Sequence, residues 1–306
     1  MAQPFLRIGT RGSPLALYQA NAVRDLLCAA HGVDPGSIEI TIIRTTGDAI
    51  QDRPLADAGG KALFVKEIEE ALLADKIDLA VHSAKDVPSI LPGGLVLSAC
   101  LEREDVRDVF ISQKGTRFED LPPGASLGTT SPRRQALAKR IRPDLNIVPL
   151  RGNVDTRLRK LNEGVADATI LALAGLKRLG LERHATRVMS EDEFLPAGGQ
   201  GAIAIEIRQT DDRLRELTAA IDHADTMAAL KLERAFLAVL DGSCKTPIAA
   251  HAKVNGDAIS FRGLIARPDG TAAHDVTGAG QQADAERIGT EAGRDIKARA
   301  GADFLA

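Results

Sequence analysis

The chain has 306 residues, 44% of them hydrophobic and 26% charged, which is typical of a globular protein with two or three domains. Its formal net charge of −3 argues against general nucleic-acid binding, which needs a basic surface. Because no apolar run approaches the roughly 20 residues of a membrane helix and the N-terminus does not resemble a secretion signal, we expect a cytoplasmic protein that binds no membrane.

Strand-like and helical segments alternate through the first two hundred residues, which predicts an α/β fold with a largely parallel sheet. After the strand FLRIGT, Ser13 and Pro14 are the preferred residues for the start of a helix, and His31-Gly32 should end it. The strand IEITII and a polar segment at 46–60 follow. A second helix is predicted to carry four apolar residues on one face, namely Phe64, Ile68, Ala71 and Leu72. DLAVH and LVLSAC are predicted strands.

Two stretches of the sequence repeat earlier ones. GTRGSPLAL at 9–17 resembles GTTSPRRQAL at 128–137, since both place Gly-Thr at the end of a strand and Ser-Pro at the start of a helix. EIEEALLADKIDLAVH is matched by TRLRKLNEGVADATILAL. Two similar α/β lobes, before and after about residue 105, would form a cleft with ligands at the carboxyl ends of the strands.

The last hundred residues contain a different pattern. FLPAGGQGAIAIEIR, residues 194–208, should carry the chain back to the first lobe as a further strand. An apolar helical stripe then ends at Asp241-Gly242, and three strands and a last helix near 281–299 complete a small α+β domain. The predicted domains are residues 1–101 with 202–219, residues 106–195, and residues 224–306.

Arginines recur at the predicted junctions between strands and helices. The set consists of Arg11, Arg133, Arg134, Arg151 and Arg157. Free N–H groups at a helix start, together with guanidinium groups, bind carboxylate or phosphate. Any one of these arginines fits a solvated surface better, but their repeated placement favours an anion site. No GxxxxGK[ST] or GxGxxG pattern is present, so neither a nucleotide P-loop nor a dinucleotide site is indicated.

The segment VHSAKDVP, residues 81–88, places polar side chains at the end of a buried strand, where ligands bind in open α/β sheets. Asp86 can protonate a leaving amine or stabilise a cationic intermediate, and Lys85 can hold a carboxylate. A structural turn, with Asp86 paired to Lys85 or capping the next segment, explains the spacing equally well. His82 fits a hydrogen-bonded strand end as well as a catalytic role.

The three cysteines share no CxxC spacing and the histidines form no ligand pair, so neither a disulfide framework nor a metal site is predicted. Cys28 and Cys100 fit small core residues. Cys244 follows a helix C-terminus, whose negative end disfavours a thiolate, and Lys245 partly offsets this effect. Such a thiol suits slow covalent attachment better than a turnover nucleophile, and an inert loop cysteine is a comparable alternative.

Seven motifs, in order, resemble those of the porphobilinogen deaminase (hydroxymethylbilane synthase) family: LRIGTRGSPLAL, GGKALFVKEIE, LAVHSAKDVP, LGTTSPRRQA, LRGNVDTRLRKL, LPAGGQGA and GSCKTPIAA. The resemblance implies a monomeric three-domain α/β enzyme. Its first two domains would resemble type II periplasmic binding protein lobes around a cleft, and the third would be a small α+β domain. It also implies a transferase of tetrapyrrole and heme biosynthesis, which condenses four porphobilinogen molecules head to tail, releases ammonia and yields hydroxymethylbilane.

The resemblance also implies roles for individual residues. Cys244 would hold a dipyrromethane cofactor through a thioether, and Asp86 would be the catalytic carboxylate that contacts pyrrole N–H groups. The family's cofactor- and substrate-binding arginines correspond to Arg11, Arg133, Arg134, Arg151, Arg157 and, less distinctively, Arg178. Its other contacts correspond to Ser13, Ser83, Lys85, Thr129, Ser131 and Gln200. Lys61 and Phe64 match the end of a loop over the family's site.

A non-enzymatic two-lobed protein that binds an anionic solute is the alternative function, because the same cleft and arginines would serve it. That class predicts a signal peptide or a lipid anchor, and the N-terminal sequence suggests neither. An anion-sensing effector domain would need an attached helix-turn-helix, for which the chain has no room.

Overall fold

The computed structural model describes residues 4–49, 63–240, 247–301 and 304. Cys244, Lys61 and most of the segment 46–60 therefore lie outside the described residues. Contacts divide the chain into two compact units, Met1–Glu104 with Ala202–Met227 and Asp105–Gly201 with Ala228–Ala306. None of the helices in the described ranges combines the length and apolar character needed to cross a membrane.

The helices and strands follow the predicted alternation. The strands are β1 Leu6–Thr10, β2 Ile38–Ile42, β3 Leu79–Ser83, β4 Leu95–Cys100, β5 Asp108–Ser112, β6 Ser126–Gly128, β7 Asn146–Val148, β8 Ala168–Ala172, β9 Arg187–Val188, β10 Ile203–Arg208, β11 Ile248–Asn255, β12 Ala258–Ala266 and β13 Ala273–Gln281. The helices are α1 Pro14–His31, α2 Thr46–Ala49, α3 Lys66–Leu73, α4 Pro132–Ile141, α5 Val154–Asn162, α6 Leu173–Arg178, α7 Asp212–Ala219, α8 Ala224–Val239 and α9 Ala285–Ala300.

The first unit is built on a sheet whose described strands have the order β2-β1-β3-β10-β4. β1 pairs in parallel with β2 and β3, whereas β10 is antiparallel to β3 and β4. The prediction that the chain returns to the first lobe as a strand is therefore confirmed. Four strands run in one direction and β10 runs in the opposite direction. The sheet is therefore largely parallel, as predicted, and the antiparallel direction of β10 could not be read from the pattern of its residues. α1 and α7 pack on one face of the sheet and α3 on the other.

The second unit repeats this arrangement. Its described mixed sheet has the order β7-β6-β8-β5-β9, in which β5 is antiparallel to both neighbours, as β10 is in the first unit. The predicted internal repeat is thus confirmed at the level of topology. The same unit contains the antiparallel sheet β11-β12-β13, covered by α8 and α9, which is the predicted α+β domain. Leu137, Ala249 and Leu264 belong to one core cluster, so the predicted boundaries of three domains stay a prediction.

Helix starts match the sequence signals closely. The Ser13 hydroxyl accepts a hydrogen bond from the N–H of Ala16 (3.3 Å), and the Ser131 hydroxyl accepts one from Arg134 (3.4 Å), each followed by proline at the first helical position. α1 ends at Gly32, whose φ of 65° is the left-handed conformation that favours glycine.

One residue of a predicted helix face is misplaced. Ile68 and Leu72 of α3 are buried as expected, but the helix begins at Lys66, so Phe64 precedes it. Its ring instead lies 4.3 Å from the guanidinium carbon of Arg11. The side chain of Phe64 thus makes a cation–π contact with a residue distant in sequence, which helical spacing cannot reveal.

Candidate functional site

A small cavity of about 60 Å³ opens in the first unit where β1 and β3 end and α1 begins. Five residues predicted for the site line it, namely Arg11, Ser13, Phe64, Ser83 and Asp86. Pockets that enclose a whole drug-sized ligand measure roughly 300–1,000 Å³, so this cavity suits one part of a larger ligand.

Asp86 is held on a short 3-10 turn, Ala84–Asp86, directly after β3. The N–H of Ala84 donates to the carbonyl of Ala202 (3.0 Å), which fixes the start of this turn on the first residue before β10. The carboxylate of Asp86 is half-buried, and within the described part of the chain it has no hydrogen-bond or ion-pair partner. The alternative in which Asp86 pairs with Lys85 is therefore not the one observed. An unpaired carboxylate in a pocket can accept hydrogen bonds from a ligand.

Arg11 is oriented by a carboxylate that the sequence analysis missed. Its Nε lies 3.2 Å from both carboxylate oxygens of Asp48, and its Nη2 also contacts one of them. Burial favours the neutral form of Asp48, but hydrogen bonds from Arg11 and Thr45 outweigh burial and lower its pKa. Asp48 lies on α2, within the segment predicted only as polar, where nothing in the local pattern distinguishes it.

Gln19 is a second residue that the sequence analysis missed. It is buried, lines the cavity, and its Nε2 lies 2.9 Å from the hydroxyl of Ser83. A signal was available, because Gln19 is a polar residue beside Ala16 and Ala20 on the apolar face of α1. Buried amides require partners, so such a position indicates either a structural pair or a ligand contact.

The ring of His82 forms a hydrogen bond with Glu206 of β10, with 3.1 Å between Nε2 and Oε2. Both side chains are buried. Of the two roles that its position allowed, the hydrogen-bonded strand end is the one present in the structure.

In the second unit, Arg133 and Arg134 lie in the first turn of α4 and are only 5% and 7% exposed. The Nη2 atom of each lies 2.7 Å from the carboxylate of Asp108, on opposite oxygens. Burial lowers the pKa of Arg133, whereas the charge of Asp108 opposes that effect. Gln200 donates to the carbonyl of Val106 (2.7 Å) and to Asp108 (3.2 Å). Neither arginine is a solvated surface residue.

Of the remaining predicted residues, Lys85 lies on the 3-10 turn with Asp86, and the others that the structure describes lie in the second unit. Thr129 is buried and accepts the N–H of Ser131 at its hydroxyl (3.1 Å). Arg151 and Arg157 are half-buried on either side of the start of α5, and Arg157 donates to the carbonyl of Gly152 (2.8 Å). Arg178 donates to the carbonyl of Gly201 (2.7 Å).

The predicted residues thus gather into two described sets. One surrounds the unpaired carboxylate of Asp86 in the first unit, and the other surrounds the buried Arg133–Asp108–Arg134 group and the start of α5 in the second. Cations held at helix starts, together with a free carboxylate at a strand end, are typical of an α/β protein that acts on an anionic ligand.

The comparisons with known proteins agree with this class. Residues 6–216 match the family model described as porphobilinogen deaminase, dipyromethane cofactor binding domain, and residues 227–298 match porphobilinogen deaminase, C-terminal domain. The curated porphobilinogen deaminases of Nitrobacter hamburgensis and Nitrobacter winogradskyi are each 61% identical over 298 residues, covering 97% of this chain and 94% of theirs. The chain therefore belongs to the porphobilinogen deaminase family.

Solved structures show a more distant similarity. A periplasmic substrate-binding protein of an ABC transporter from Coxiella burnetii aligns with a TM-score of 0.46 and 16% identity over 71% of this chain and 92% of its own. A periplasmic binding protein from Salmonella typhimurium aligns with a TM-score of 0.41 and 16% identity over 71% and 91%. The fold class rests on the strand orders given above.

Family membership confirms the main functional predictions from the sequence. The protein is a transferase of tetrapyrrole biosynthesis, and the dipyrromethane cofactor is part of its family's description. The alternative of a non-enzymatic solute-binding protein is disfavoured by the same match.

Proposed function

We propose that Asp86 is the catalytic carboxylate with which this enzyme joins four porphobilinogen molecules head to tail, and that Cys244 holds the dipyrromethane cofactor through a thioether. The observation that supports the role of Asp86 is its half-buried carboxylate, which lines the cavity of the first unit without a partner among the described residues.

The chemistry requires a negative charge at the reacting centre. When the amino group of porphobilinogen leaves as ammonia, the remaining pyrrole carries positive charge that is absent from the ground state. A carboxylate in a partly desolvated pocket stabilises that state more than the starting substrate, and this difference accelerates the reaction. Asp86 can also accept a hydrogen bond from the pyrrole N–H, which orients the ring.

The arginines supply the complementary charge. Each porphobilinogen carries an acetate and a propionate, so the growing chain is a polyanion. Arg133 and Arg134 share the single carboxylate of Asp108, which leaves the buried group with one positive charge in excess. A substrate carboxylate would neutralise that excess, and this supports the proposal that both arginines bind the chain. We assign Arg11, held by Asp48, the same role in the first unit.

The residues present fit the cofactor. Pyrrole N–H groups need hydrogen-bond acceptors and the acid side chains need cations. The cavity of the first unit offers Asp86 as an acceptor and Arg11 as a cation. When bound, the dipyrromethane supplies the pyrrole end to which the first substrate is joined. We further propose that Lys85, Ser83 and Gln200 contribute polar contacts.

The variant Asp86→Asn tests the catalytic assignment. It keeps the shape of the side chain and removes its charge, so we expect substrate binding within a few-fold of wild type and a turnover lower by at least about a hundredfold. Asp25→Asn, which alters an exposed carboxylate on α1, is the matched control and should retain wild-type turnover. Turnover of Asp86→Asn close to that of wild type would remove Asp86 from the mechanism.

We also propose that the enzyme acts as a monomer in the cytoplasm. The thiol of Cys28, which is buried and in no disulfide, is consistent with a reducing compartment. Light scattering of the purified enzyme would give its mass in solution, and a dimer mass would contradict the first part of this proposal.

A further inference from the structure

Three titratable side chains from three elements form a buried cluster in the first unit. Glu69 of α3, His82 of β3 and Glu206 of β10 are 6%, 5% and 0% exposed. In the pairing of β3 with β10, His82 lies opposite Ala204 and Glu206 opposite Ala80, so the side chains of His82 and Glu206 share one face of the sheet. α3 packs on that face, because Ala80 belongs to the same core cluster as its apolar residues.

The cluster contains two carboxyl groups and one imidazole. Only one oxygen of Glu206 is bonded to His82, and Oε1 of Glu206 and Oε1 of Glu69 are buried without a hydrogen-bond partner among the described residues. Two ionised carboxylates without water are costly, and one imidazole cannot compensate both. Burial and then the charge of Glu206 raise the pKa of Glu69 to about 7, against the opposing effect of His82.

No described cation on the surrounding elements balances this cluster. Arg208, the nearest cation along β10, donates to the carbonyls of Leu72 and Ile77. The other charged side chains of α3, β1 and β10 are engaged in other contacts: Arg7 with Asp78, Glu67 with Thr46, Lys66 with Glu70, and Arg208 with Asp211. β4 carries no charged residue. The net charge of the cluster therefore depends on whether one of its own carboxyl groups holds a proton.

His82 connects this cluster to the pocket, because it also lines the cavity that contains Asp86. We propose that Glu69, Glu206 and His82 are positioning residues for the condensation. They form a buried cluster that holds a proton, and the negative charge of its carboxylates acts through His82. That charge helps Asp86 to stabilise the cationic state of the substrate. This inference rests on the proposed function. Loss of the Glu69 proton to bulk water adds one negative charge to the cluster that contains His82, so turnover should rise as that proton leaves.

The test is the pH dependence of turnover, which a purely structural role would not change. Between about pH 6 and about pH 8.5 we expect the kcat of wild type to rise roughly fivefold with an apparent pKa near 7, and the kcat of Glu69→Gln to stay at the low-pH value of wild type. KM should stay within about twofold, because Glu69 is not among the described residues that line the cavity. Glu70→Gln, an exposed position on the same helix, should reproduce the wild-type profile.

A second variant checks the interaction inside the cluster. Glu206→Gln removes the charge that helps to raise the pKa of Glu69, so the rise in kcat should move to lower pH. A Glu69→Gln profile that rises as wild type does would overturn the inference.

Infrared spectroscopy of the wild-type holoenzyme provides a readout that needs neither activity nor a variant. A protonated-carboxyl band that disappears near pH 7 is expected, and its absence would also overturn the inference. The two proposals fail differently. Wild-type enzyme that forms no hydroxymethylbilane contradicts the proposed function, whereas full product formation with unchanged profiles contradicts the cluster alone.

Discussion

Asp108 and Arg133 form a fully buried ion pair in the second unit, with 2.7 Å between Oδ2 and Nη2. Because Arg134 uses the other oxygen, Asp108→Asn would leave two guanidinium groups buried without a charge partner. We expect a loss of about 3–5 kcal/mol in the free energy of unfolding, measured by urea denaturation. Asp144→Asn, which breaks a more exposed pair with Arg142, should cost much less, because water already solvates that carboxylate. Equal losses for the two variants would mean that burial of the Asp108 pair does not increase its contribution to the free energy of unfolding.

The contact between Asp48 and Arg11 predicts an effect on substrate binding. Asp48→Asn should release the guanidinium from its fixed orientation, and we expect KM for porphobilinogen to rise roughly threefold to tenfold with a smaller change in kcat. Steady-state kinetics measure both constants, and Asp25→Asn, from the exposed Arg24 pair, is the control. An unchanged KM would show that the orientation of Arg11 by Asp48 does not matter for binding.

Glu69 predicts a pH-dependent stability. Its pKa is about 7 in the folded protein against a usual value of 4.5, so the native state retains a proton that the unfolded chain releases. The stability associated with Glu69 is therefore fully present below about pH 4.5 and is lost as pH rises towards 7. Glu69→Gln avoids this loss, and above pH 7 it should unfold with a free energy up to about 3 kcal/mol higher than that of wild type.

Urea denaturation at several pH values measures this difference, which should shrink as the pH falls. Glu70→Gln should show no such dependence, since its carboxylate is exposed. A constant difference between Glu69→Gln and wild type at all pH values would mean that Glu69 does not titrate in this range.

The proposed attachment residue predicts a change in mass. Intact mass spectrometry of the wild-type protein should give the sequence mass plus two pyrrole units, and Cys244→Ser should lose this excess together with activity. Cys100→Ser, at a buried thiol, should keep the added mass. Wild-type protein without the added mass but with full activity would refute the covalent cofactor.

The sequence predicted the helix ends that depend on residues close together in the chain. Ser13 and Ser131 begin helices through contacts three residues away, and both predictions are confirmed. Glycine after His31 likewise marked the end of α1.

Partners distant in sequence could not be found in this way. Gln19 and Ser83 are 64 positions apart, and Glu206 and His82 are 124 apart, so only the assembled sheet brings them together. The pairing of Asp108 with two arginines could not be predicted either, because an aspartate at the start of a strand does not indicate which cations it will contact.

The position of β10 has a consequence for synthesis on the ribosome. β10 lies between β3 and β4, yet it follows them by about a hundred residues, after the whole of 105–201. The sheet of the second lobe is continuous in sequence and can close while the chain is still emerging, whereas the nascent first lobe lacks its fourth strand until Arg208 has left the exit tunnel. The sheet next to Asp86 is therefore begun before the sheet of the second lobe and completed after it.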